Sequence, residues 1–103
     1  MRIIAKKAIT DFCAANKRKD ATAASKELWA WYALVKSASW ATSADVKSQY
    51  GNASIVSADR VVFNICGNKY RLVAKVRYRS PGIVWIRFIG THKQYDQIDA
   101  KEV

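Results

Sequence analysis

Two periodicities divide this chain. Ala5, Ala8, Ile9, Phe12 and Cys13 share one face of a helix, and Leu28, Trp31, Tyr32 and Val35 share a face of another. The polar run "NKRKDAT" (16–22) ends the first, and Asp20 or Thr22 stands where a cap for the second belongs. Two amphipathic helices joined by a short basic turn predict a helical hairpin, and "RIIA" (2–5) ahead of it reads as a short strand. After Trp40 the period lapses, so "ATSADVKSQYGNAS" (41–54) reads as a loop with one helical turn.

From Arg60 the spacing changes to alternation. "RVVFNIC" (60–66) is β-branched and aromatic, and "GN" (67–68) signals a hairpin into "KYRLVAKVRYR" (69–79). "SPG" (80–82) turns the chain again into "IVWIRFIG" (83–90). In "THKQYDQIDA" (91–100), Thr91 suits an N-cap and Asp96 and Asp99 fall on a short helix. Three consecutive strands with tight turns predict an antiparallel meander. The fold expected is α+β: an antiparallel sheet with the helical hairpin on one face, a short C-terminal helix, and the other face free. With 103 residues, residues 1–103 form one domain, large enough to bury roughly 65% of its unfolded surface without staples.

Alternation gives the "KYRLVAKVRYR" strand two unlike faces. Tyr70, Leu72, Ala74, Val76 and Tyr78 make one; Lys69, Arg71, Val73, Lys75, Arg77 and Arg79 make the other, five cations and a valine with no carboxylate. If Val84, Ile86 and Phe88 face the helices, Arg87 joins that cationic face, while Trp85 reads as core rather than a stacking platform. A merely solvated face mixes its charge signs, because like charges across strands repel. The whole chain carries +10, from 18 Lys+Arg against 8 Asp+Glu. Such an excess favours a polyanion, nucleic acid first.

Other classes lack their parts. No run of 18 apolar residues exists, Lys6, Lys7 and Asp11 interrupt any leader-like segment, and no lipidation motif is visible, so a cytoplasmic protein without a membrane partner is expected. Cys13 and Cys66 have no metal-ligand or CxxC spacing and read as small buried apolar residues. There is no Gly-rich phosphate loop, no GxSxG and no evident carboxylate pair. What remains suits metal-free RNA cleavage, which needs a base for the 2′-OH proton, an acid for the departing 5′-oxygen, and cations at the phosphate. His92, the sole histidine, shares a helical face with Tyr95 and follows the strand bearing Arg87. No cofactor is called for. The competing reading is a non-catalytic basic RNA-binding module, although the tyrosines fall on the core side of the strand rather than on an exposed sheet.

Residues 61–99 resemble the HigB toxins of the RelE-like group of type II toxin–antitoxin systems. The pattern is Asn64, Gly67 and Asn68 in the turn, then Arg71 and Val73, then Ile86–Arg87, then Thr91, His92, Lys93 and Tyr95. The resemblance implies an endoribonuclease that cuts mRNA in the ribosomal A site, against the 30S rRNA, and a helix-turn-helix antitoxin of the HigA type as partner. It implies phosphate binding and transition-state stabilisation by Arg71 and Arg87, and a general acid or base in His92. Lys93 and Tyr95 would be a second proton-transfer group or substrate contacts. Lys69, Lys75, Arg77 and Arg79 are expected as RNA or rRNA contacts.

Overall fold

The computed structural model describes residues 1–103. In chain order the elements are β1 (Arg2–Ile4), α1 (Lys6–Ala15), α2 (Ala21–Ser37), α3 (Ser43–Gln49), β2 (Ser54–Ser57), β3 (Arg60–Ile65), β4 (Tyr70–Arg77), β5 (Ile83–Thr91) and α4 (His92–Tyr95). The five strands form one sheet in the order β1-β5-β4-β3-β2. The fold is α+β as expected, with one difference in the sheet. β3, β4 and β5 make the antiparallel meander, but β1 pairs with β5 in parallel, so the sheet is mixed. A parallel partner needs a long crossover, and the helices, β2 and the meander together supply it.

Residues 41–54 hold more than a loop. Thr42 and Asp45 form a reciprocal cap that starts α3, and β2 extends the sheet beyond β3. The indole of Trp40, which follows the end of α2, is 3% exposed. Its Nε1–H donates to Gln49 Oε1 at 2.6 Å, and its ring stacks on Phe63 with centroids 6.2 Å apart. Phe63 also meets Trp31 at 5.4 Å and Tyr50 at 5.2 Å. This aromatic group joins Ile9, Leu28 and Val35 of the helices to Leu72, Ala74 and Val84 of the sheet. The helical hairpin therefore covers the face that alternation assigned to it.

The opposite face is half covered rather than free. Val62 and Val73 are buried there beneath Ala100, with Phe88, Tyr95, Ile98 and Val103 packed around them. Arg60, 9% exposed, pins this return of the chain: its Nε donates to the Val103 carbonyl oxygen at 3.2 Å, and it pairs with Asp59 at 3.0 Å. α4 ends at Tyr95, so Asp96 and Asp99 lie in the turns after it and not within a helix. Val73, the one valine among the cations of β4, is the apolar seat for this segment.

Between β3 and β4 the loop runs Cys66–Lys69, longer than the two residues Gly67–Asn68. Cys66 at φ 53° and Gly67 at φ 63° both lie in the left-handed region, which glycine adopts without the strain a side chain brings. The Cys66 N–H donates to Glu27 Oε2 at 2.6 Å, tying the loop to α2. Both cysteines are half-buried and unpaired. No helix is long and apolar enough to cross a membrane.

Candidate functional site

The register of β5 on β4 decides where the predicted residues go. Trp85 faces Lys75 and Ile86 faces Ala74, but Phe88 faces Val73, so Arg87 is an extra residue at a β-bulge. A bulge reverses the alternation beyond it. Phe88 thus turns to the open face with Val73, while Ile89 joins the helix-side core. Arg87 does not join the cationic face of β4; it is exposed, and it lines a hollow with Ala8, Asp11 and Phe12 of α1. Trp85 sits on the open face, half-buried, with Lys75 Nζ 5.5 Å from its ring centroid.

On the open face, Arg71 and Tyr95 meet. The guanidinium carbon lies 5.7 Å from the Tyr95 ring centroid, a cation–π distance. Arg71 also donates to the Asn68 carbonyl at 3.2 Å and to its Oδ1 at 3.4 Å, so the β3–β4 loop holds it from the other side. Asn68 belongs to the site as a positioning group, a role that its place in a turn motif did not reveal. Tyr95 in turn rests against Phe88 at 6.4 Å.

α4 is set by its cap and by a glycine. Thr91 Oγ1 accepts from the Gln94 N–H at 3.2 Å, and Gln94 Oε1 accepts from the Thr91 N–H at 2.9 Å. Gly90, opposite Arg71, leaves room for this approach: a Cβ there would lie 2.6 Å from Phe88 Cζ and 2.7 Å from Gln94 Oε1. The His92 N–H donates to the Lys69 carbonyl, fastening the start of α4 to the β3–β4 loop. The imidazole is exposed, with Nδ1 3.4 Å from Asp96 Oδ2. Its charged neighbour is thus a carboxylate one turn on, which leaves Nε2 open to solvent or ligand.

The other predicted cations disperse. Lys69 lies by the hairpin turn, 3.7 Å from Asp20. Arg77 is half-buried towards the far end of β4, and Arg79 beyond it lines a hollow with Met1, Trp40 and Pro81. Lys93 points away from Arg71, into a cleft of about 600 Å³ between the α1–α2 turn and α4. Lys17 and Arg18 line that cleft as well. The sequence showed them only as a helix-breaking polar run.

Asp20 occupies the cap position of α2 but makes no side-chain cap. Its carboxylate accepts instead from the Tyr70 hydroxyl, which also accepts from Asn16 Nδ2 at 3.0 Å. The Tyr70 bond, with help from Lys69 and Arg18, holds the Asp20 carboxyl below its usual 3.8. Burial, reinforced by Asp20, pushes the Tyr70 hydroxyl up. A carboxylate depressed in the folded state stabilises it above the unfolded value, and that contribution fades as pH falls through the folded one. The stability gap between the protein and an Asp20→Asn variant should therefore be widest near neutrality and close below pH 3.8. Urea unfolding at stepped pH checks this; a gap independent of pH would refute the assignment.

Comparison with known proteins adds one match. Residues 24–98 match the family HigB_toxin, described as the RelE-like toxic component of a toxin–antitoxin system. No curated protein matches the chain.

Proposed function

This chain belongs to the HigB toxin family, the toxic component of a toxin–antitoxin system, and on that premise we propose that it is an endoribonuclease that cuts mRNA during translation in the cytoplasm. The observation that carries the reading is the Arg71–Tyr95 pair, with Arg71 held by Asn68 and Tyr95 carried on the same short helix as His92. A fixed guanidinium binds phosphate oxygens in a bidentate way, and its charge is worth most where charge develops in the transition state.

The 2′-oxygen attacks the adjacent phosphorus, forming the 2′,3′-cyclic phosphate, while the bond to the 5′-oxygen breaks. A base takes the 2′-OH proton and an acid protonates the leaving oxygen. His92, oriented by Asp96 through Nδ1, offers Nε2 for one of these transfers. The Tyr95 hydroxyl, on the same short helix, is the companion group, and Lys75 above Trp85 extends the path for the RNA backbone. Lys93, in the cleft beside α4, and Arg87, in the hollow against α1, act on the flanking nucleotides. The ribosome presents the mRNA through its A site, and the cationic surface answers the charge of the 30S rRNA. Being the toxic half of a pair, the protein has an antitoxin as partner; we take it to be of the helix-turn-helix, HigA type.

The test is expression of the wild type and His92→Ala in a translating system, mapping new RNA 5′-ends. Cuts within coding sequence are expected, falling by about 10²–10⁴-fold in the variant while RNA affinity persists. Cutting that persists in the variant moves proton transfer to Tyr95 or Lys93. Good folding and RNA affinity with no cuts from either protein would leave a plain RNA-binding module.

A further inference from the structure

We propose that the cleft between the α1–α2 turn and α4 is a nucleotide subsite, taking one nucleotide of a single RNA strand whose neighbouring phosphate is held at Arg71. Its place in cleavage rests on the nuclease reading; its capacity to bind a nucleotide does not.

α4 presents different residues to its two sides. Tyr95 reaches over Arg71 on the open face of the sheet, while Lys93 and Gln94, with Gln97 in the turn after the helix, line the cleft on the other. A strand laid across this single helical turn would have successive nucleotides on both sides of it. The cleft, at about 600 Å³, is within the usual range for small-ligand sites.

Charge and chemistry both fit a nucleotide. Lys17 and Arg18 on one wall oppose Lys93 on the other, and Lys19 and Lys69 line an adjoining hollow that shares Arg18. Asp20 is the only carboxylate lining either one, and it is engaged by the Tyr70 hydroxyl, by Arg18 at 3.9 Å and by Lys69 at 3.7 Å. Lys17, Lys19 and Lys93 make no ion pair and stay available to a phosphate. The Gln97 side-chain amide makes no hydrogen bond within the protein and is of the kind that reads a base edge, donating and accepting together, whereas Asn16 is engaged by Tyr70 and the Arg18 N–H, and Gln94 Oε1 by the Thr91 N–H. Phe12 and Ile89 give an apolar base, and Phe12 is fixed edge-on to Tyr70 at 5.7 Å. Both also line the hollow of Arg87. The hollow of the bulge residue thereby adjoins the cleft across Phe12 and Ile89, and a second phosphate would lie there.

The experiment is an amide-resolved NMR titration of the whole protein with the four 5′-mononucleotides and with a 2′-O-methyl RNA trinucleotide, which cannot be cut by 2′-oxygen attack. Shifts are expected at Lys17, Arg18 and Gln94–Gln97. Lys17→Glu should weaken trinucleotide binding about tenfold and lower its salt slope by about one. Lys101→Glu, the same charge change on the exposed C-terminal segment, should alter binding less than about twofold if the effect is local. Equal losses from both variants, or shifts confined to Arg71 and Tyr95, would overturn the subsite. So would a cleft that ignores nucleotides but responds to an acidic protein partner. Cleavage without cleft shifts sinks the subsite alone, whereas cleft shifts without cleavage sink the nuclease reading and leave the subsite standing.

Discussion

Arg71→Ala is expected to lower RNA cleavage by about 10²–10³-fold, the usual loss when one preorganised group stabilising transition-state charge is removed. The guanidinium is held from two directions, by Asn68 at 3.2 Å and by the Tyr95 ring at 5.7 Å. Little reorganisation is then needed when charge builds on the phosphate. Removing the side chain also takes the cation–π contact from the Tyr95 ring, which keeps only its apolar packing against Phe88 and the cluster around Val73. Arg71→Lys keeps the charge but not the planar fork, and it should recover only part of the rate. Folding should change little, since Arg71 is at the margin of the apolar cluster rather than inside it. Single-turnover cleavage of a defined RNA, with circular dichroism to verify the fold, measures both. An Arg71→Ala protein that cuts at the wild-type rate would remove Arg71 from the chemistry.

Phe63→Ala should cost about 3–5 kcal/mol, the range for deleting a buried aromatic ring. Phe63 is 1% exposed and meets Trp31, Trp40 and Tyr50, so neighbouring backbone would have to move to fill the void. Against a total of about 5–15 kcal/mol for a domain, that is a third or more of the stability at the middle of each range. It corresponds to a fall of at least ~12 °C in Tm for a chain of this size. Ile55, 38% exposed on the edge strand, is the contrast: Ile55→Ala should stay within about 0.5 kcal/mol. Thermal and urea unfolding of both variants test the difference. A Phe63→Ala protein as stable as Ile55→Ala would show that the aromatic group is not the centre of the core.

Legibility followed the range of the forces involved. The helical hairpin, the meander and the cap at Thr91 are local patterns, and each is in place. α3 and β2 were hidden because a seven-residue helix and a four-residue strand are too short to show a period. The α3 cap was nonetheless visible as Thr42 with Asp45 three residues on. Nothing local marked Trp40 as buried, because the helical period lapses there; burial came from Gln49 and Phe63, nine and more than twenty residues away. Within the candidate site, the cationic row of β4 and the placement of His92 and Tyr95 on one short helix were readable. Asn68, Lys17 and Arg18 were not, since a turn residue and a basic loop give no sign of what lies opposite them.

By itself the sequence determined that β4 has an apolar side and a cationic side, because side chains alternate along any extended strand. It also determined the excess of positive charge that favours an anionic partner. Tertiary structure alone decided how those charges are shared out. One extra residue at the β5 bulge carries Arg87 to the helix side and Phe88 to the open face. The returning C-terminal segment covers Val73 and sets Tyr95 over Arg71, and the hairpin turn brings Lys17 opposite Lys93. Such choices depend on hydrogen-bond register and on contacts between distant segments, and no local periodicity encodes either.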